Sequence, residues 1–299
     1  MKMEFLTMNE SPHRHSPKRR IGVNINLCTD AKKHNLALMK ISQWHKSQGD
    51  KVWLNGVGCF DKTYGSWLFD FSQKSPCDEE GGPGFDPTIR LERFDDVRPD
   101  YDLYGLDFSL GYTWAGCLRE CPFCIVPKQC NPREHKSIWT FHDSRFKKIC
   151  LLNNNTFSDP QWRETFEEIW DADLTVIDEN GYDLRLIDEE KAEALHETKW
   201  ATPLHFAWDL MEDEAEIVRG LKLLTKYHLR TTSNGVYVLI GYNTTREEDI
   251  HRCQIISDYG LTPYPMPYKR RGMDFKRFIN LHYYRQADSI KEAWKDYKR

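Results

Sequence analysis

LDFSLGYTWAGCLRECPFCIVPK, residues 106–128, carries the deciding pattern. An alternating, strand-like run, LDFSLGY, leads directly into Cys117, Cys121 and Cys124, spaced CxxxCxxC. Three thiolates on one tight loop suit a [4Fe–4S] cluster, because they hold three irons and leave the fourth open. Structural zinc asks for four closed ligands, and here Cys130, His135 or His142 would have to supply the fourth. The remaining cysteines (Cys28, Cys59, Cys77, Cys130, Cys150 and Cys253) contain no second closely spaced set, which argues against auxiliary clusters. Cys150, inside KKICLL, reads as a small buried hydrophobe.

Outward from the motif, strand-like runs alternate with helical patterns. The strands are Lys147–Asn153, Gly181–Ile187, Pro203–Asp209, Gly235–Tyr242 and Leu261–Tyr268, following Leu106–Tyr112. WRETFEEIWDA, DEEKAEALHET, DEAEIVRGLKLLTKY and REEDIHRCQIISDYG are the helical segments between them. Six strands with intervening helices predict an α/β fold with a parallel sheet, curved or closed, of the β/α barrel class. Chemistry in such folds sits at the C-terminal strand ends. Upstream, IGVNINL, NLALMKISQWHKSQG and KVWLNGV read as a small β-α-β extension, and Ser75–Asp100 as a turn-rich loop. The expected division is a flexible basic tail at 1–20, the extension at 21–100, the barrel at 101–268 and a basic helical segment at 269–299.

The cysteine motif after a strand, with Phe123 before the third cysteine and Gly116 and Pro122 around it, resembles the radical S-adenosylmethionine (radical SAM) superfamily. The resemblance spans about Leu106 to Tyr268 and implies a partial (β/α)6 barrel. It also implies an open iron that chelates the methionine moiety and reductive cleavage to a 5′-deoxyadenosyl radical. The family's second-strand GGE segment is replaced here by Asn153, Asn154 and Asn155, whose carbonyls can accept the same hydrogen bonds. Arg185 is the candidate for the cofactor carboxylate, and Asp183 for ribose or substrate; the two read equally as an ion pair inside the barrel. Asp209 ends the fourth strand as a ribose or substrate ligand, or as a helix N-cap before Met211. The fifth strand looks like the family's adenine-binding strand, with backbone near Ile240 and Gly241 pairing with the base. Thr244 to Glu247 reads as a plain capping pattern. The N-terminal extension resembles the remnant in compact, bacteriophage-type members related to cobalamin-binding enzymes. Their DxHxxG signature is missing, which argues against cobalamin.

Composition adds the setting. In 299 residues, 39% hydrophobic and 29% charged, no run approaches a membrane span and no signal-peptide pattern opens the chain. A cytoplasmic location is expected, the host's cytoplasm if the chain is phage-encoded. The net charge is -4, yet residues 266–299 hold ten Lys or Arg against four Asp or Glu. In FKRFINLHYYRQADSIKEAWKDYKR the aromatics read as the inward face of a helix closing the barrel, while the cations remain free for DNA. The leading expectation is an isomerase that moves glycine from nitrogen to carbon attachment on a modified thymine in phage DNA, using a flavodoxin- or ferredoxin-type reductant. The alternatives are radical methylthiolation, methylation or carbon insertion on RNA or a peptide, and a non-catalytic zinc or iron–sulfur nucleic-acid-binding module.

Overall fold

A computed structural model describes residues 22–90, 92–129, 131–287 and 289–297. The basic tail, Cys130 and the last two residues therefore lie outside the described residues. The chain is mixed α/β, with three four-stranded parallel sheets.

The N-terminal unit is larger than a β-α-β element. β1 (Asn24–Thr29), α1 (Leu36–Ser47), β2 (Lys51–Leu54), β3 (Lys62–Ser66) and β4 (Glu79–Gly81) form a sheet in the order β2-β1-β3-β4. β4 falls inside the stretch expected to be only loop. Asn35 caps α1 by accepting from the Leu38 N–H. From α1, Leu38 and Ile41 pack on this sheet. Met39 instead joins Leu110 and Cys150 of the next sheet. One helix thus serves two sheets, because its apolar residues occupy more than one face.

The second sheet contains β5 (Ser109–Gly111), β6 (Lys148–Leu151) and β7 (Thr175–Ile177), and the third opens with β8 (Tyr182–Asp183). α2 (Trp162–Asp171) separates β6 from β7, and α3 (Glu189–Glu197) follows β8. β9 (Lys199–Trp200) completes the second sheet beside β7, and β10 (His205–Trp208) pairs with β8. Both strand tracks break over corresponding gaps, 178–181 and 201–204. Asp178 holds this fault together. Its N–H donates to Thr202 Oγ1 (2.8 Å), and its carboxylate accepts from the N–H groups of Gly181 (3.0 Å) and His205 (2.7 Å). Gly181 has φ +77°, and a Cβ there would lie 2.9 Å from the His205 carbonyl oxygen, so the turn requires glycine.

Beyond the fault come α4 (Glu214–Lys226), β11 (Gly235–Ile240), α5 (Arg246–Asp258) and β12 (Thr262–Pro267). The third sheet runs β12-β11-β10-β8, so β12 is an edge. Its prolines, 263, 265 and 267, alternate, which turns their missing N–H groups to one side and blunts the edge. The C-terminal segment forms two helices rather than one, α6 (Met273–Asn280) and α7 (Ile290–Tyr297). Phe275, Phe278 and Trp294 are buried in the main core, so these aromatics pack inward as expected.

Three expectations need correction. Gly181–Ile187 is a strand only at Tyr182–Asp183; the Asp183 side chain then accepts from the Arg185 N–H and turns 184–186 into a 3-10 helix. The strand before it, β7, was not anticipated. The capping pattern lies one residue later, with Thr245 and Glu248 forming a reciprocal box.

Arg252 of α5 is fully buried and joins the strand ends. Its guanidinium donates to the carbonyls of Trp208 (3.1 Å), Asp209 (2.9 Å) and Leu239 (2.7 Å) and to Asp249 (2.7 Å). Arg252→Leu strands a buried carboxylate and three carbonyls, so urea unfolding should show a loss of about 3–5 kcal/mol. A loss below about 1 kcal/mol would show that the clamp is dispensable.

Candidate active site

The 36 residues between β5 and β6 (112–147) carry the motif cysteines; among the described ones there is no strand, and the helical turns are short 3-10 segments. Such a loop must satisfy its backbone through side chains. Asn153, just past β6, does this at the loop's start. Its Oδ1 accepts from the N–H groups of Thr113 (2.9 Å) and Trp114 (3.0 Å), and its Nδ2 donates to Thr113 Oγ1 (2.8 Å). Asn154 Nδ2 donates to the Ala115 carbonyl at 2.5 Å. Further along, Glu168 of α2 accepts from Ser137 Oγ and the Ile138 N–H.

Asn155 differs from its neighbours. Its Nδ2 donates to Cys117 Sγ (3.5 Å) and to Asp183 Oδ2 (3.4 Å). Its Oδ1 is buried with no hydrogen-bond partner. Asn155 thus reaches a motif sulfur and keeps a buried acceptor without a partner, while Asn153 and Asn154 anchor the loop.

All three motif cysteines are free thiols of intermediate exposure. The Cys124 N–H donates to the Cys121 carbonyl (3.0 Å), tightening the loop. The N–H groups of Arg119 and Val126 approach Cys117 Sγ (3.4 Å) and Cys124 Sγ (3.5 Å). Burial pushes the Cys121 thiol above its usual range, with Arg185 opposing and Asp209 and the other two thiols adding to the rise. These influences place Asp209, Arg185 and the three sulfurs in one electrostatic neighbourhood. Phe123 packs edge-on against Tyr242 (centroids 5.1 Å), which packs likewise against Tyr268 (4.8 Å). The ends of β11 and β12 therefore meet the cysteine loop through rings.

Asp183 and Arg185 are brought together, but not side by side on a strand. Arg185 Nε and Nη2 grip Asp183 (2.7 and 2.9 Å), while Nη1 donates to Asp213 (2.7 Å). Every guanidinium nitrogen already meets a carboxylate, so the fork expected for a cofactor carboxylate is occupied by Asp183. Arg119 Nε stands 3.8 Å from Asp183, buried and without a hydrogen bond. Asp209 does not cap the following turn, whose N-cap is Leu210. Burial raises its carboxyl to about 6, against the pull of Arg185 and with the push of Asp183. Ile240 is fully buried in the helix-side core, leaving only its backbone for recognition. Gly241 has φ +70°, and a Cβ there would come within 2.7 Å of Arg271 Cβ.

Of the candidates for a fourth zinc ligand, Cys130 lies outside the described residues. His135 Nδ1 pairs with Asp159 at 2.7 Å, and His142 packs on Trp139. Among the described residues, no group of three or more His, Cys, Asp or Glu is arranged to hold a single metal ion. Among them, too, no helix is long and apolar enough to cross a membrane. No protein-family model, curated protein or solved structure matches the chain.

Sequence reading missed Arg119, Asp213, Arg252, Tyr242 and Tyr268. Only Arg252 left a signal, as the partner of Asp249 three residues earlier on one helix face.

Asn153→Ala should cost about 1–3 kcal/mol, because it strands two buried N–H groups. Limited trypsin digestion should cut faster after Arg119 and Lys128 in this variant. Unchanged digestion would mean that other contacts position the loop.

Proposed function

We propose that the chain is a radical SAM enzyme in which Cys117, Cys121 and Cys124 hold one [4Fe–4S] cluster. The observation that carries this reading is the pairing of three free thiols on one loop with the unpartnered buried acceptor Asn155 Oδ1. A donor set of three thiolates, with no fourth protein ligand among the described residues, fits a cluster with one open iron. When bound, such a cluster supplies the electron that cleaves the carbon–sulfur bond of S-adenosylmethionine.

The protein's own groups suit that cofactor. Asn155 Oδ1 can accept from an ammonium group. Asp183, Asp209, Asp213 and Asp249 outnumber the guanidiniums of Arg185, Arg119 and Arg252 by one, a surplus that favours a ligand of net positive charge. A bound cation would also draw the Asp209 carboxyl back down from about 6. Arg185 keeps Asp183 oriented. Gly241 lets Arg271 pack against the end of β11, so a planar base would meet backbone groups there.

The strand arrangement supports the finer fold reading. Taking β7 with β8 and β9 with β10, the strands fill six parallel positions in chain order, as in an open (β/α)6 barrel. The cysteine loop follows the first position, and Asp183, Asp209 and Gly241 follow or end later ones.

Anaerobic reconstitution should give about four irons per chain, with charge-transfer absorbance. Dithionite and S-adenosylmethionine should then yield 5′-deoxyadenosine. The triple Cys→Ala variant should fold, bind no iron and form none. Asn155→Leu should retain iron but weaken cofactor binding about tenfold, the loss of one charge-assisted hydrogen bond. Stoichiometric zinc without iron would overturn the reading.

A further inference from the structure

The strands of the third sheet divide their side chains cleanly between two faces. Phe206, Val236 and Val238 are buried against the helices. His205, Tyr237 and Tyr264 alternate with them and belong to the opposite face. His205 and Tyr237 stack with centroids 5.2 Å apart and planes within 6°. Tyr264 lies 6.1 Å from Tyr237 and 6.2 Å from His205, and it is 37% exposed. The three rings form one contiguous aromatic cluster that stands apart from the buried helix-side core.

Just past the edge strand that supplies Tyr264, a short 3-10 turn carries Lys269 and Arg270, followed by Arg271, all exposed. None of the three has a carboxylate partner among the described residues. Lys269 and Arg270 both adopt left-handed backbone, φ 46° and 64°, a conformation that costs non-glycine residues about 1–2 kcal/mol each. Lys269 Nζ also lies over Tyr268 (5.3 Å), whose ring contacts Tyr242 and, through it, Phe123 of the cysteine loop. The stacking rings and the cations thus lie along one edge strand and the turn that follows it, with His205 Nδ1 facing Asp178 (3.3 Å).

We propose that this face binds single-stranded nucleic acid, with the His205–Tyr237–Tyr264 platform stacking a base and Lys269, Arg270 and Arg271 contacting neighbouring phosphates. Planar rings recognise a base of any sequence by its π-face. The cations add a salt-dependent grip on the backbone. Charge complementarity selects this occupant, since the rim is positive although the chain as a whole is negative. The inference rests on the radical reading only for the chemistry performed on the base; binding itself does not require it.

The test is fluorescence anisotropy with a fluorescein-labelled oligodeoxythymidylate, its oligouridylate counterpart and an abasic strand of equal length. Base-bearing strands should bind the wild-type protein about tenfold more tightly than the abasic strand. Tyr264→Leu should remove that advantage with the salt slope unchanged, and Tyr264→Phe should restore it. Replacing Lys269, Arg270 and Arg271 by Gln should lower the log–log salt slope by about 2, or 0.7 per phosphate contact. Equal binding of abasic and base-bearing strands would overturn the proposal. So would a Tyr264→Leu protein that binds as wild type, or an acidic peptide that competes as well as the oligonucleotide. Iron content of the same wild-type preparation separates the two readings. Base-dependent binding without iron would end the radical assignment and leave this one standing.

Discussion

The cysteine loop is held in place by the amide of Asn153. Thirty-six residues separate β5 from β6, and the described ones among them form no strand. Their backbone groups cannot be satisfied by a ladder, so the position of the thiols depends on side chains reaching in from neighbouring elements. Asn153 is suited to this because an amide offers an acceptor and donors at once. It binds two consecutive N–H groups of the loop and the Thr113 hydroxyl. Asn154 fixes the Ala115 carbonyl two residues before Cys117. Asn155 then reaches the Cys117 sulfur itself. Three successive asparagines thus translate the end of one rigid strand into the location of the first thiol.

The opposite wall of the site is set by buried arginines. Arg252 draws together the carbonyls at the ends of β10 and β11, so Asp209 and Gly241 are presented from a braced edge. Arg185 acts on the floor, where its fork is shared by Asp183 and Asp213. That sharing bears on the state of Asp209. Burial lifts the Asp209 carboxyl to about 6; Arg185 still draws it down, but the two carboxylates that Arg185 serves push the other way.

Local features were legible in the sequence. The cysteine spacing, the strand leading into it, the N-terminal part of α1 and the alternation of β10 to β12 all follow from short-range pattern. Elements that owe their existence to partners were not. β3 and β4, KTYGS and EEG, are short and polar; β3 becomes a strand by pairing with β1, and β4 by pairing with β3. β7 is three residues long and is stabilised between β6 and β9. LRLI after Asp183 alternates like a strand, yet the Asp183 carboxylate captures the Arg185 N–H and bends the chain. The grouping of Arg119, Asp183, Asp209 and Asp213 joins residues up to 94 positions apart, beyond any local pattern.

The fault at Asp178 connects these observations. Without a break, the strand through β7 and β8 would keep one alternation of faces along its length, and a single sheet would have to cover both α2 and the α3–α4 pair. The turn at 178–181 lets the chain re-enter with Tyr182 toward the helices and Asp183 toward Asn155. The corresponding break before His205 preserves pairing across the seam, so neither β7–β9 nor β8–β10 loses its partner. His34 and Lys33 of the N-terminal unit meet Glu179 inside the same turn. A seam of side-chain hydrogen bonds thus sets the direction of Asp183, and through Asp183 the packing of Arg185, Arg119 and Asn155 around the thiols.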